Sequence, residues 1–110
     1  MNEMLINLTP HVLNIADEAG NITTSLLSMG SARVESKSIP VDPIDGIPVN
    51  ETVFGDVSGL PEAQEGTYYI VSQIVIAAAP DRNDLLRPDT GPTCLRDPDG
   101  RIIAVRSLTR

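Results

Sequence analysis

The residues best able to do chemistry in this chain gather at Pro80-Asp81-Arg82-Asn83-Asp84. An arginine fork grips phosphate or carboxylate through two parallel hydrogen bonds, and flanking carboxylates can accept from hydroxyls, as recognition of a ribose requires. Two readings stay open. Either Arg82 faces an anionic ligand while Asp81 or Asp84 takes its hydroxyls, or the acids pair with Arg82 and simply fix the loop. Upstream, Ser72 suits the N-cap of a short helix, whose free N–H groups would offer a phosphate a seat. His11 is the only imidazole and Cys94 the only thiol. Nucleophilic catalysis needs a Ser, Thr or Cys beside a base, so it would have to run through His11. No Gly-x-Ser-x-Gly elbow and no glycine-rich phosphate loop is present, and the spacing of Gly55-Asp56-Val57-Ser58-Gly59 fits a turn. A zinc site wants clustered His and Cys, whereas His11 and Cys94 stand at opposite ends of the chain. No catalytic residue, metal ligand or cofactor is assigned on this basis. Cys94 reads as a small buried hydrophobe and His11 as either a structural residue or a ligand contact.

Charge narrows the partners. The net charge of −7 opposes general affinity for nucleic acid, whose phosphates demand a basic surface. The charge is also uneven. Residues 1–81 hold eleven acids against Arg33 and Lys37, while residues 82–110 hold four aspartates against Arg82, Arg87, Arg96, Arg101, Arg106 and Arg110. An arginine-only segment on an acidic protein either pairs with the acidic half or receives an anion.

The elements that must position these groups are mostly strands in a single domain over residues 1–110. Leu5–Leu8 and Val12–Ile15 read as short strands flanking a break at Pro10, and Ile22–Leu27 returns as a hairpin partner after the turn residues 17–21. Residues 32–39 alternate like a half-exposed strand. Pro40, Pro43, Gly46 and Pro48 predict a loop over 40–48, and one strand follows within 49–57, ended by Gly55 and Gly59. Thr67–Val71 is strongly strand-like and sends one of Tyr68 and Tyr69 inward. A short helix over about 72–79 stops at Pro80, with one continued strand through residue 78 as the alternative. Residues 81–88 read as a loop. Asp97-Pro98-Asp99-Gly100 is a turn joining Thr93–Leu95 to Arg101–Val105 as a C-terminal β-hairpin. The expected class is therefore α+β and strand-rich, a small antiparallel or mixed sheet with one helix. With only Phe54, Tyr68 and Tyr69 as aromatic anchors, burial between subunits is expected to supplement the core, giving a homo-oligomer. The opening residues lack a basic-then-apolar leader, and the longest apolar run, Ile74–Pro80, falls short of the roughly 20 residues that cross a bilayer. A cytoplasmic location without membrane contact is expected.

Four segments carry a resemblance: Leu5-Ile6-Asn7-Leu8-Thr9-Pro10-His11, Gly66-Thr67-Tyr68-Tyr69-Ile70-Val71-Ser72, Ala79-Pro80-Asp81-Arg82-Asn83-Asp84-Leu85-Leu86 and Asp99-Gly100-Arg101-Ile102-Ile103-Ala104. Together they resemble a family of small phage and prophage proteins, mostly of unassigned activity; residues 17–60 match loosely. Small phage proteins without catalytic motifs look like anti-defence sponges, which bind immune signalling nucleotides and hold them uncleaved. By that analogy Arg82 and Arg96 take phosphates, Ser72 and Thr9 contact hydroxyls, Asp84 accepts from a sugar, and His11 meets a base or phosphate, in the cytoplasm of an infected bacterium. The reading requires the guanidinium groups of the C-terminal third to converge on one hollow, and it predicts that Arg82→Ala abolishes uptake with little change in melting temperature. Two rivals remain: a protein-binding inhibitor that presents the acidic surface to a host defence protein, and a small hydrolase or transferase using His11.

Overall fold

A computed structural model describes residues 3–110. The elements run β1 (Met4–Asn7), β2 (Leu13–Ala16), β3 (Ile22–Leu26), β4 (Arg33–Ile44), β5 (Ile47–Ser58), β6 (Thr67–Ile70), α1 (Gln73–Ala78), β7 (Leu85–Pro88), β8 (Leu95–Arg96), β9 (Ile102–Ala104) and β10 (Leu108–Thr109). The domain is α+β and strand-rich, with one short helix and a C-terminal hairpin.

A four-stranded sheet of order β1-β6-β7-β10 forms the body. The first three strands are parallel and β10 is antiparallel to β7. Parallel neighbours need a crossover, and α1 supplies it between β6 and β7. The helix has six residues and no side-chain cap from Ser72. Its stability therefore comes from packing rather than from propensity. Val75 enters a cluster with Leu8, Ala32, Tyr69, Val71 and Leu85, and Ile76 packs at its margin. Tyr69 is thus the inward ring. Burying side chains such as Val71 and Val75 stabilises by about 1.5–3 kcal/mol each. By strand alternation, Glu3, Leu5, Tyr68, Leu86, Leu108 and Arg110 lie on the opposite face of the sheet, around a shallow hollow of about 350 Å³.

Smaller ribbons attach to this body. β2 and β3 form the expected hairpin. β8 and β9 close around Asp97–Gly100, where the Asp97 carboxylate accepts from the Asp99 and Arg101 amides. Cys94 is half-buried, with Thr90 O 3.6 Å from its Sγ, not a fully buried hydrophobe.

The main departure from expectation is the segment 40–48, which is no loop. β4 runs through Pro40 and Pro43, and β5 restarts at Ile47 after the two-residue turn Asp45-Gly46. Both turn residues have positive φ, 52° and 75°, the type I′ geometry that matches strand twist. Proline is tolerated because each strand of a two-stranded ribbon has an outer edge, where a missing N–H forfeits no ladder bond. β5 likewise continues through Gly55 to Ser58. Gly59, at φ 76°, then turns the chain where any Cβ would collide with the Ser31 carbonyl oxygen. The expected loop 81–88 is also shorter, since Leu85–Pro88 is a sheet strand. The result is a long arm, β4–β5, in which only Val34, Val49 and Val57 are even half-buried. It gives the molecule extents of 53 × 39 × 19 Å and a radius of gyration of 17.0 Å, against about 13 Å for a compact domain of this length.

Asn7 is the one buried polar residue of the described core. Its Nδ2 donates to the carbonyls of His11 (2.8 Å) and Leu26 (2.9 Å), and its Oδ1 accepts from the Thr9 amide (2.9 Å) and hydroxyl (2.6 Å). One amide thereby ties the Pro10 turn and the end of β3 to the sheet. Removing it leaves those partly buried carbonyls without their donor. Asn7→Ala should lower unfolding free energy by on the order of 3 kcal/mol in urea titration, whereas Asn14→Ala, at an exposed bond to Ile103 O, should cost under about 1 kcal/mol.

Candidate ligand-binding site

The Pro-Asp-Arg-Asn-Asp segment lies between α1 and β7, with the Arg82 amide donating to Ala79 O and Asp84 O accepting from the Tyr69 amide. Its guanidinium is already occupied. Arg82 Nε and Nη2 donate to the two oxygens of Asp84 at 2.9 and 2.8 Å, a bidentate fork. The side chains are 22% and 13% exposed, and the guanidinium carbon stands 6.0 Å from the centroid of the Tyr69 ring. This is the one ion pair among the described residues. The Arg82 hydrogen bonds hold the Asp84 carboxyl below its ordinary range, with burial opposing them. The same bonds raise Arg82. The adjacent hollow, about 370 Å³, is lined by Glu65, Asp81 and Asp84 against Arg82 alone among charged groups. With Arg82 neutralised, that hollow repels anions.

The other expected contacts are dispersed. Arg96 lies in the separate β8–β9 ribbon, where Nη1 donates to Gly100 O at 2.7 Å and braces the turn. Arg106 donates to the carbonyls of Thr93, Asp17 and Glu18. Three of the six C-terminal guanidinium groups, Arg82, Arg96 and Arg106, therefore do not converge on one hollow, because Asp84 and carbonyl oxygens in separate places claim them. The seating that runs through Arg82 and Arg96 falls with that geometry. His11 is exposed, and no carboxylate is hydrogen-bonded to its imidazole among the described residues. Among those residues no three His, Cys, Asp or Glu side chains group as metal ligands. At six residues, α1 is too short to build the dipole that a phosphate seat would draw on.

Two of the expected residues do come together. Thr9 and Ser72 line a hollow of about 420 Å³ with Leu8, Pro10, Ser31, Ala32, Arg33, Val34 and Ile74. Its floor is apolar, and Leu8 and Ala32 belong to the core. The Ser72 hydroxyl is exposed and makes no capping bond. The Thr9 hydrogen is directed to Asn7 and His11 oxygens, so this hydroxyl can only accept from a ligand. Arg33, at the root of the arm, is exposed, and among the described residues its side chain makes one hydrogen bond, Nε to Ser31 Oγ at 3.4 Å. It was missed because it stands alone in an acidic stretch. The readable signal was that Arg33 and Lys37 are the only bases before Arg82.

Compared with known proteins, the chain matches no family model, no curated protein and no solved structure.

The Arg82–Asp84 pair predicts a stability effect in place of the expected loss of uptake alone. Arg82→Ala should lower unfolding free energy by about 1 kcal/mol at neutral pH. Because the folded Asp84 pKa is depressed, its contribution is present above the unfolded value near pH 4 and is lost as pH falls through the lower folded value. The gap between variant and wild type in chemical denaturation should accordingly close below about pH 4.

Proposed function

We propose that this protein binds a small anionic, nucleotide-derived ligand and holds it without cleavage, as a phage anti-defence sponge acting in the cytoplasm of the host bacterium and assembling as a homo-oligomer. The observation that carries the binding step is the hollow at the arm root, lined by Arg33, which has no ion pair among the described residues, and by Ser72, whose hydroxyl makes no capping bond, over an apolar floor. Small-ligand sites combine a mostly apolar lining with a few placed polar groups in about 300–1,000 Å³. This hollow has that make-up, and its volume lies in that range. Arg33 takes the phosphate, Ser72 donates to a phosphate or sugar oxygen, Thr9 accepts from a hydroxyl, and Leu8 and Ile74 support a base.

The make-up of the hollow supports retention without cleavage. No imidazole, thiol or carboxylate lines it, so a bound phosphodiester meets no general base. The overall acidity slows approach of an anion at long range, which makes the local positive charge of Arg33 decisive. The four segments that resemble phage proteins support the anti-defence setting, and two of them, Leu5–His11 and Gly66–Ser72, supply Leu8, Thr9, Pro10 and Ser72 of the lining.

The test incubates the protein with candidate cyclic oligonucleotides and ADP-ribose derivatives, removes free ligand, denatures and analyses what is released. Intact nucleotide is expected. Altered nucleotide would move the assignment to the His11 hydrolase, and absence of uptake would move it to a protein-binding inhibitor. Arg33→Ala should weaken uptake at least about tenfold, or ~1.4 kcal/mol, with an unchanged melting temperature, while Arg96→Ala should leave uptake intact.

A further inference from the structure

The chain exposes 7860 Å², whereas a compact monomer of its mass exposes about 5,900 Å². The excess of roughly 2,000 Å² is more than the ~800 Å² per partner that a standard stable interface buries. Two apolar surfaces contribute to it. One is the arm. In the register of β4 and β5, Ile39, Val41, Val49 and Val53 share one face, with Lys37 and Glu51 beside them. At the tip Ile44 and Ile47 pair directly and are 67% and 64% exposed. The other is the outer part of the helix-free face of the four-stranded sheet, where Leu5 is exposed and Tyr68, Leu86 and Leu108 are half-buried around a hollow, while Ile70 on the same face is covered.

We propose that the arm of one subunit docks face-on against the open part of the helix-free sheet face of a second copy of this chain, Ile44 and Ile47 entering the hollow between Leu5, Tyr68, Leu86 and Leu108. Three observations select this occupant. An isolated two-stranded ribbon is marginal in water, and among the described residues this one meets the core through Val34 and Val57 and faces α1 near Phe54 and Ile74, all toward its root. Its reach, about 40 Å for a twelve-residue strand, carries the tip away from its own sheet. Pro40, Pro43 and Pro48 interrupt both ribbon edges, which disfavours strand addition and leaves the apolar face as the docking surface. Charge completes the match. Residues 38–58 hold Asp42, Asp45, Glu51 and Asp56 and no base. Arg110 stands at the β10 side of the hollow and Glu3 at the β1 side, so the acidic tip seats toward β10. The inference rests on the homo-oligomer of the preceding reading, and on nothing in its ligand.

The test measures mass in solution by light scattering and sedimentation at high micromolar protein. The wild type should be oligomeric. Ile44→Ser/Ile47→Ser should be monomeric, and so should Leu5→Glu and Leu108→Glu. Arg110→Glu should weaken association at least tenfold, and added salt should weaken that of the wild type. Unchanged circular dichroism and urea midpoint in Leu5→Glu, whose position is exposed, separate lost docking from misfolding. An oligomeric wild type that these variants leave intact would overturn this contact while sparing self-association. A monomeric wild type would overturn both. A monomer that instead takes up polylysine through the arm would overturn it in favour of a basic partner.

Discussion

A single carboxamide underlies the arrangement of this molecule. Asn7 sits at the end of β1 with all four of its hydrogen-bonding capacities satisfied, and a fully satisfied polar network in a dry site specifies one geometry. Around it the backbone locks in series. Leu8 donates to Ile70 O, Met29 to Asn7 O and Ala32 to Leu8 O. Each of these bonds fixes the path of the segment that leads into β4. The amide therefore controls more than a turn. It sets the floor of the arm-root hollow through Leu8 and Thr9, and it sets the direction in which the arm leaves the body.

The arginines serve the opposite end of the chain in a similar way. β8 and β10 are two residues long, too short for ladder bonds alone to hold them. Arg96 closes the turn after β8, and Arg106 bridges Thr93, Asp17 and Glu18 so that the C-terminal segment is bound to the β2–β3 turn. Guanidinium suits this work because its five donors are fixed in one plane and stay charged. What looked like an anion-receptive segment is largely framework. Arg33 differs from Arg82, Arg96 and Arg106 in that no hydrogen bond to a carbonyl or carboxylate holds its guanidinium among the described residues.

The sequence was informative where local signals agreed. The Asp-Pro-Asp-Gly turn, the β2–β3 hairpin, the alternation that sends one of Tyr68 and Tyr69 inward and the short helix stopped by Pro80 all depend on neighbours a few residues apart. It misled at 40–48, where three prolines outweighed the Ile-Asp-Gly-Ile pattern that specifies a type I′ hairpin. Proline forbids a central strand, but this ribbon has none. The site was less legible. Arg82 was rightly placed in a constrained loop, yet whether it faced Asp84 or a ligand depended on side-chain geometry that spacing does not encode. Thr9 and Ser72 meet only because β1 lies beside β6, a pairing of distant segments with no local mark. The Asn7 network was invisible for the same reason, since Leu26 approaches from another ribbon.

That parallel pairing has a consequence for synthesis. Met4 lies opposite Thr67, so β1 must wait for more than half of the chain to leave the ribosome before it finds a partner. The β2–β3 and β4–β5 ribbons close locally and can form while β6 is still being made, since short-range pairings precede long-range ones. The projecting hairpin is thus born ahead of the sheet that carries it. Its apolar stripe is therefore exposed on the nascent chain before the body condenses, and Asp42, Asp45, Glu51 and Asp56 set like charge beside it, which opposes premature association.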